Sequence, residues 1–115
     1  MSCFPADQIE ELQKYFGKVQ QAQEGGTIFI FLPHVSMPPG CTPSHVDVLL
    51  CPTPRDGYTS RLFFAQKVQK PSMPQPNWNG NARILERNWQ AFSWKMPTEP
   101  MRLAQMVATH LRGLR

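Results

Sequence analysis

The chain has 115 residues, 41% of them hydrophobic, and a net charge of +4. That length supports a single domain, residues 1–115, around one modest core, and no apolar run approaches the ~20 residues that cross a bilayer as a helix. Three cysteines at irregular spacing argue against a disulfide framework, and Met1-Ser2-Cys3-Phe4-Pro5 lacks a basic stretch leading into an apolar one, so reduced thiols and a cytoplasmic setting are expected.

Charge is unevenly spread. Residues 1–60 carry three basic and six acidic side chains, a net −3, whereas residues 61–115 carry nine and two, a net +7. A basic half suits an acidic partner, either nucleic acid or protein; it is equally the solvated face of an ordinary domain.

Asp7 to about Gln23 reads as a helix, because Ile9, Leu12, Phe16 and Val19 fall on one stripe. Asp7 is placed to cap it, and Gly25-Gly26 to stop it. Thr27–Leu32 reads as a strand closed by Pro33. Ser36-Met37-Pro38-Pro39-Gly40 is a loop, and His45–Cys51 begins in alternation and ends apolar, as a buried strand does. Pro52 to Tyr58 breaks the chain with two prolines and an Asp-Gly pair, with Tyr58 expected to pin the loop. Arg61–Val68 reads as the next strand, and a short fourth strand has room to begin near Lys67. The expectation is an antiparallel meander of three to four strands.

From Gln69 to about Ala82 no periodicity survives Pro71, Pro74 and Pro76, and irregular stretches of this length are disproportionately functional. Arg83–Trp94 reads as a short helix or turn. Pro97-Thr98-Glu99-Pro100 then starts a last helix, with Thr98 as its cap and Leu103, Val107, His110, Leu111 and Leu114 inside. Strands grouped between terminal helices make an α+β domain with the helices on one face of the sheet.

Each chemically capable residue has a plainer reading. His34, Cys41, His45 and Cys51 are metal-capable types, but structural zinc sites pair ligands two to four residues apart, so no metal is expected and Cys51 reads as a buried small hydrophobe. Trp78, Trp89 and Trp94, interleaved with Arg83, Arg87 and Lys95, are able to stack bases, yet tryptophans near a chain reversal are more often core anchors, so nucleic acid is disfavoured. His110 on an inner helix face is more often a satisfied boundary residue than a base. Ser93 as a nucleophile needs a neighbouring base and an oxyanion donor. No cofactor motif is present.

Three passages resemble the ubiquitin-conjugating enzymes. "VDVLLCPTPRDGYTSRLFF", Val46–Phe64, is similar to the central passage of that family. "LPHVSMPPG" and "NWQAFSW…MRLAQMVATHLRGL" are similar to a divergent bacterial branch, prokaryotic ubiquitin-conjugating-like family E. The resemblance spans about Thr27 to Leu114. It implies a ubiquitin-conjugating (UBC-like) fold in short form. It also implies a ubiquitin-like modifier and an adenylating activating enzyme as partners, often with a deubiquitinase-like metalloprotease, and antiphage defence as a setting. In the family a His-Pro-Asn tripeptide precedes the catalytic cysteine. Gln75-Pro76-Asn77 matches in part, which assigns Asn77 to oxyanion stabilisation and makes Gln75 a departure.

The larger departure is that no cysteine follows Cys51, and Leu85 stands at the offset of the family's nucleophile. Three readings follow. The chain binds or presents the modifier without catalysis, through Trp78, Trp89 and Trp94 rimmed by Arg83 and Arg87. It carries the modifier as an oxyester on Ser93, with Asn77 and His110 nearby. Or Cys41 or Cys51, displaced in sequence, serves as the nucleophile, with Cys41, in a Pro/Gly loop and expected to be exposed, the more reactive of the two.

Overall fold

A computed structural model describes residues 4–53, 60–94, 99 and 101–114. Asp7 and the stripe through Leu12 open a helix, α1 (Ala6–Phe16), which buries Leu12. It does not run to Gln23. Gly17 takes φ +85°, a conformation open to glycine and costly for other residues, and the chain turns into a strand. That strand, β1 (Gln20–Glu24), pairs with β2 (Thr27–Ser36), with Glu24 opposite Thr27. Gly25 and Gly26, at φ +58° and +80°, form the two-residue hairpin turn whose twist suits antiparallel strands. The glycine pair that reads as a helix stop is a hairpin turn, and pairing outweighs the helical preference of Gln-Gln-Ala-Gln-Glu.

β2 continues past Pro33 and pairs antiparallel with β3 (His45–Cys51), the register slipping between Leu32 and Val35. β4 (Arg61–Phe64) is shorter than its apolar run: beyond it Val68 is buried, and Gln69 makes only an isolated bridge with Thr42. No strand forms at Lys67. Residues 54–59, including Tyr58, lie outside the described residues.

Arg83–Trp94 is neither helix nor isolated turn. It belongs to a hairpin of β5 (Gly80–Ile84) and β6 (Arg87–Ala91), turning on Leu85 and Glu86 at φ +54° and +65°. The turn lacks the Asn-Gly or Asp-Gly that signals such hairpins, which is why the sequence conceals it. The last helix, α2 (Leu103–Leu111), begins later than expected. Arg102 precedes it, its N–H donating to Gln105 Oε1 at 3.0 Å, and Thr98 lies outside the described residues.

The result corrects the expected α+β, UBC-like architecture with three to four strands. The described chain is mostly β: one six-stranded antiparallel sheet ordered β1-β2-β3-β4-β6-β5, with two helices. Alternation sends Ile30, Leu32, Val48, Leu50, Leu62 and Phe64 to one face, where Leu12, Leu103, Val107 and Leu114 cover them. Arg102 holds the helices together at their ends, reaching Asp7 at 2.8 Å and Glu11 at 3.0 Å.

The opposite face also buries a core, Phe29, Leu49, Cys51, Phe63, Ile84 and Trp89, with no helix over it among the described residues. The sheet covers this face by curling on itself. Phe31 of β2 meets Trp89 of β6 edge-on at 6.2 Å, although β3 and β4 lie between them in the sheet. Arg87 caps both rings and pairs with Asp47 at 3.4 Å. The Leu85 N–H donates to Glu24 Oε2 at 3.1 Å, tying the β5–β6 turn to the end of β1.

Candidate functional site

The register slip in β2 builds the most chemically equipped surface among the described residues. His34 takes φ +54°, uncommon for a side chain with a Cβ, and its N–H donates to Asp47 Oδ1 at 2.8 Å, holding the backbone there. Beyond the slip, Ser36 stands opposite His45 in register. Ser36 Oγ lies 3.0 Å from His45 Nε2, and Ser44 Oγ lies 3.1 Å from His45 Nδ1. The His34 and His45 rings stack at 4.5 Å, 11° from parallel. A cleft of about 280 Å³ opens here, walled by Tyr15, Phe16, His34, Val35, Ser36 and His45. Ser36, Ser44 and both histidines are exposed, so these polar atoms face solvent.

The residues singled out in the sequence are dispersed. Ser93 is exposed, and its N–H donates to Asn77 O at 2.8 Å, so these two do share one strip of surface. His110 does not join them as a free base. It is 5% exposed, with Nε2 3.0 Å from Ser60 Oγ. Burial, aided by the charge of Arg61, pushes its pKa down to about 4, leaving the ring neutral at pH 7.

Cys41 is not the exposed thiol that its Pro/Gly loop suggests. It is 7% exposed, donates to Leu114 O at 3.3 Å, and burial raises its pKa, with Lys70 opposing in part. A buried thiol with a raised pKa is a poor nucleophile. Cys51 is buried too, its sulfur 3.5 Å from Thr53 O. Among the described residues no three histidine, cysteine, aspartate or glutamate side chains gather as a metal site would require.

The three tryptophans do not make one docking face. Trp89, 1% exposed, sits in the curled side of the sheet and donates to Ile84 O at 3.0 Å. Trp78 packs edge-on to Phe64 and Phe92 in the helix-side core, and Trp94 donates to Thr109 O at 3.1 Å. Arg87 is occupied by Asp47 and the Trp89 ring, while Arg83 is exposed and reaches Asn88 at 3.4 Å.

What sequence reading missed is the pairing of His45 with Ser36 and Ser44. It groups the histidines with the cysteines as metal-capable types, whereas the fold groups them with serines. Ser36 and His45 flank the Pro/Gly loop, so hairpin pairing of the two strands was the available signal. Among the described residues no helix is long and apolar enough to cross a membrane. Comparison with family models, curated proteins and solved structures gives no match.

Proposed function

We propose that the chain is a modifier-binding component of a bacterial ubiquitin-like conjugation pathway, and that it does not hold the modifier as a thioester. The partners on this reading are a ubiquitin-like modifier and an adenylating activating enzyme. Support comes from the passages that resemble prokaryotic ubiquitin-conjugating-like family E, since the architecture does not supply it.

The observation that carries the non-thioester part is the state of the thiols. Among the described residues the cysteines are Cys41 and Cys51, both buried, Cys41 with a raised pKa; no cysteine follows them, and Cys3 lies outside the described residues. The test is intact mass after incubation with the cognate modifier, its activating enzyme and ATP, in untreated, thiol-treated and mild-alkali portions. The expected result is no thiol-labile adduct, with the chain still retained on immobilised modifier. A thiol-labile adduct, located by Cys3→Ala, Cys41→Ala or Cys51→Ala, overturns the reading.

An oxyester carrier is the second reading, favoured by the exposure of Ser93 and its contact with Asn77. It expects an adduct that resists thiol, yields to alkali and disappears in Ser93→Ala.

A further inference from the structure

Two histidines among the described residues meet serine hydroxyls: His45 meets Ser36 at 3.0 Å and Ser44 at 3.1 Å, and His110 meets Ser60 at 3.0 Å. Ser60 and His110 are 3% and 5% exposed, so a substrate cannot reach them. Ser36 and His45 are open to solvent and line a cleft of about 280 Å³.

Activating a hydroxyl takes one imidazole nitrogen within hydrogen-bond reach and a second group holding the other nitrogen, so that the ring keeps its tautomer and orientation. His45 meets both conditions. With Nδ1–H donating to Ser44 Oγ, the lone pair of Nε2 is free to accept from the Ser36 hydroxyl. The parallel His34 ring packs on the face of His45, and His34 is itself anchored through its N–H to Asp47. Phe16 and Val35 give the cleft apolar walls for an acyl chain, and Tyr15 brings a phenolic O–H. Of the nearby ionic groups, Asp47 of β3 and Arg87 of β6 are paired with each other, and Arg112 lines an adjoining cleft with Phe16 and Ser36.

From this geometry we infer that Ser36 is an acyl-accepting nucleophile for activated esters or thioesters, with His45 as general base and Ser44 as a positioning residue. Ser36 Oγ bonds to the acyl carbon as its proton passes to His45 Nε2. The tetrahedral centre collapses by breaking the bond from carbon to the leaving oxygen or sulfur, which takes the proton from His45. The product is a serine ester, which water or an amine resolves with His45 again moving the proton. Only the natural acyl donor, a modifier thioester, rests on the pathway reading above; the site is tested without it.

The experiment incubates the full chain with a fluorophosphonate probe, which phosphonylates a nucleophilic serine with loss of fluoride and a proton. The adduct is located by peptide mass, and p-nitrophenyl acetate turnover is followed in parallel. One adduct on Ser36 is expected, absent in Ser36→Ala, with labelling in His45→Gln slower by at least about 100-fold, the usual scale for a lost general base. Ser44→Ala should slow labelling, and Ser44→Thr, which keeps the hydroxyl, should restore it. Circular dichroism of each variant checks that the fold is kept. No adduct, an adduct that survives Ser36→Ala, or an unchanged rate in His45→Gln in folded protein overturns the inference. Labelling without modifier binding would count against the pathway reading alone, and modifier binding without labelling against the site alone.

Discussion

Acidification should destabilise this protein through His110. In the folded state burial and the Arg61 charge press the pKa of the ring to about 4, whereas the unperturbed imidazole titrates at 6.5. Between those values the unfolded chain binds a proton that the native state refuses. Stability is therefore full above about pH 6.5, falls as the pH drops towards 4, and loses nothing more to this group below that. At 1.36 kcal/mol per unit the whole window is worth about 3 kcal/mol, and about 2 kcal/mol of it is gone at pH 5. Urea unfolding at pH 7 and pH 5 reads this directly. With a denaturant slope of about 1–3 kcal/mol per molar, the midpoint should fall by about 1 M. His110→Gln keeps a polar partner for Ser60 and does not titrate, so its loss between the two pH values should be smaller by about 2 kcal/mol. Asp7, whose pKa is lowered chiefly by its hydrogen bond from Arg102, acts below the ordinary carboxylate value of 3.8 and leaves this window alone. If wild type and His110→Gln lose the same stability from pH 7 to pH 5, the account of His110 is wrong.

Other substitutions probe the sheet and the helix-side core. Glu86→Gly relieves a left-handed residue in the β5–β6 turn and should raise the urea midpoint by the equivalent of about 1 kcal/mol; an unchanged or lower midpoint counts against strain there. Trp89→Ala should cost about 3–5 kcal/mol of unfolding free energy, since the ring is buried; a loss below about 1 kcal/mol would show it to be a surface residue. Gly113→Ala should cost about 1–3 kcal/mol, because the added methyl collides with the Phe92 ring and presses on Trp94, and thermal melts would expose a tolerant site at once.

The strands that announced themselves are the apolar ones. Thr27–Leu32, His45–Cys51 and Arg61–Phe64 are rich in Ile, Val, Leu and Phe, and these central strands bury both faces. The edge strands stayed hidden for the complementary reason. Gln-Gln-Ala-Gln-Glu and Gly-Asn-Ala-Arg-Ile cover little core and read as helix tail and loop, and only pairing with a neighbour makes them strands. Curling was invisible too, because it depends on Phe31 and Trp89 meeting across a sheet whose order no local pattern encodes. At the candidate site the residue types were noticed and their company was not. His34 and His45 come together with Ser36 through a one-position slip in register, and a slip of that size changes which face each side chain takes.

The joint between β4 and β6 rests on a single register pair, Phe64 with Gln90, whereas β5 and β6 share five pairs with each other. The hairpin is therefore a panel on a narrow hinge, latched at its far end by Glu24 and braced by Arg87 on Asp47. A panel so attached should open as a unit, at less cost than unfolding the central strands, and each opening would wet Phe31 and Trp89 together. Its amides should exchange with solvent as one block, ahead of those shared by β2 and β3.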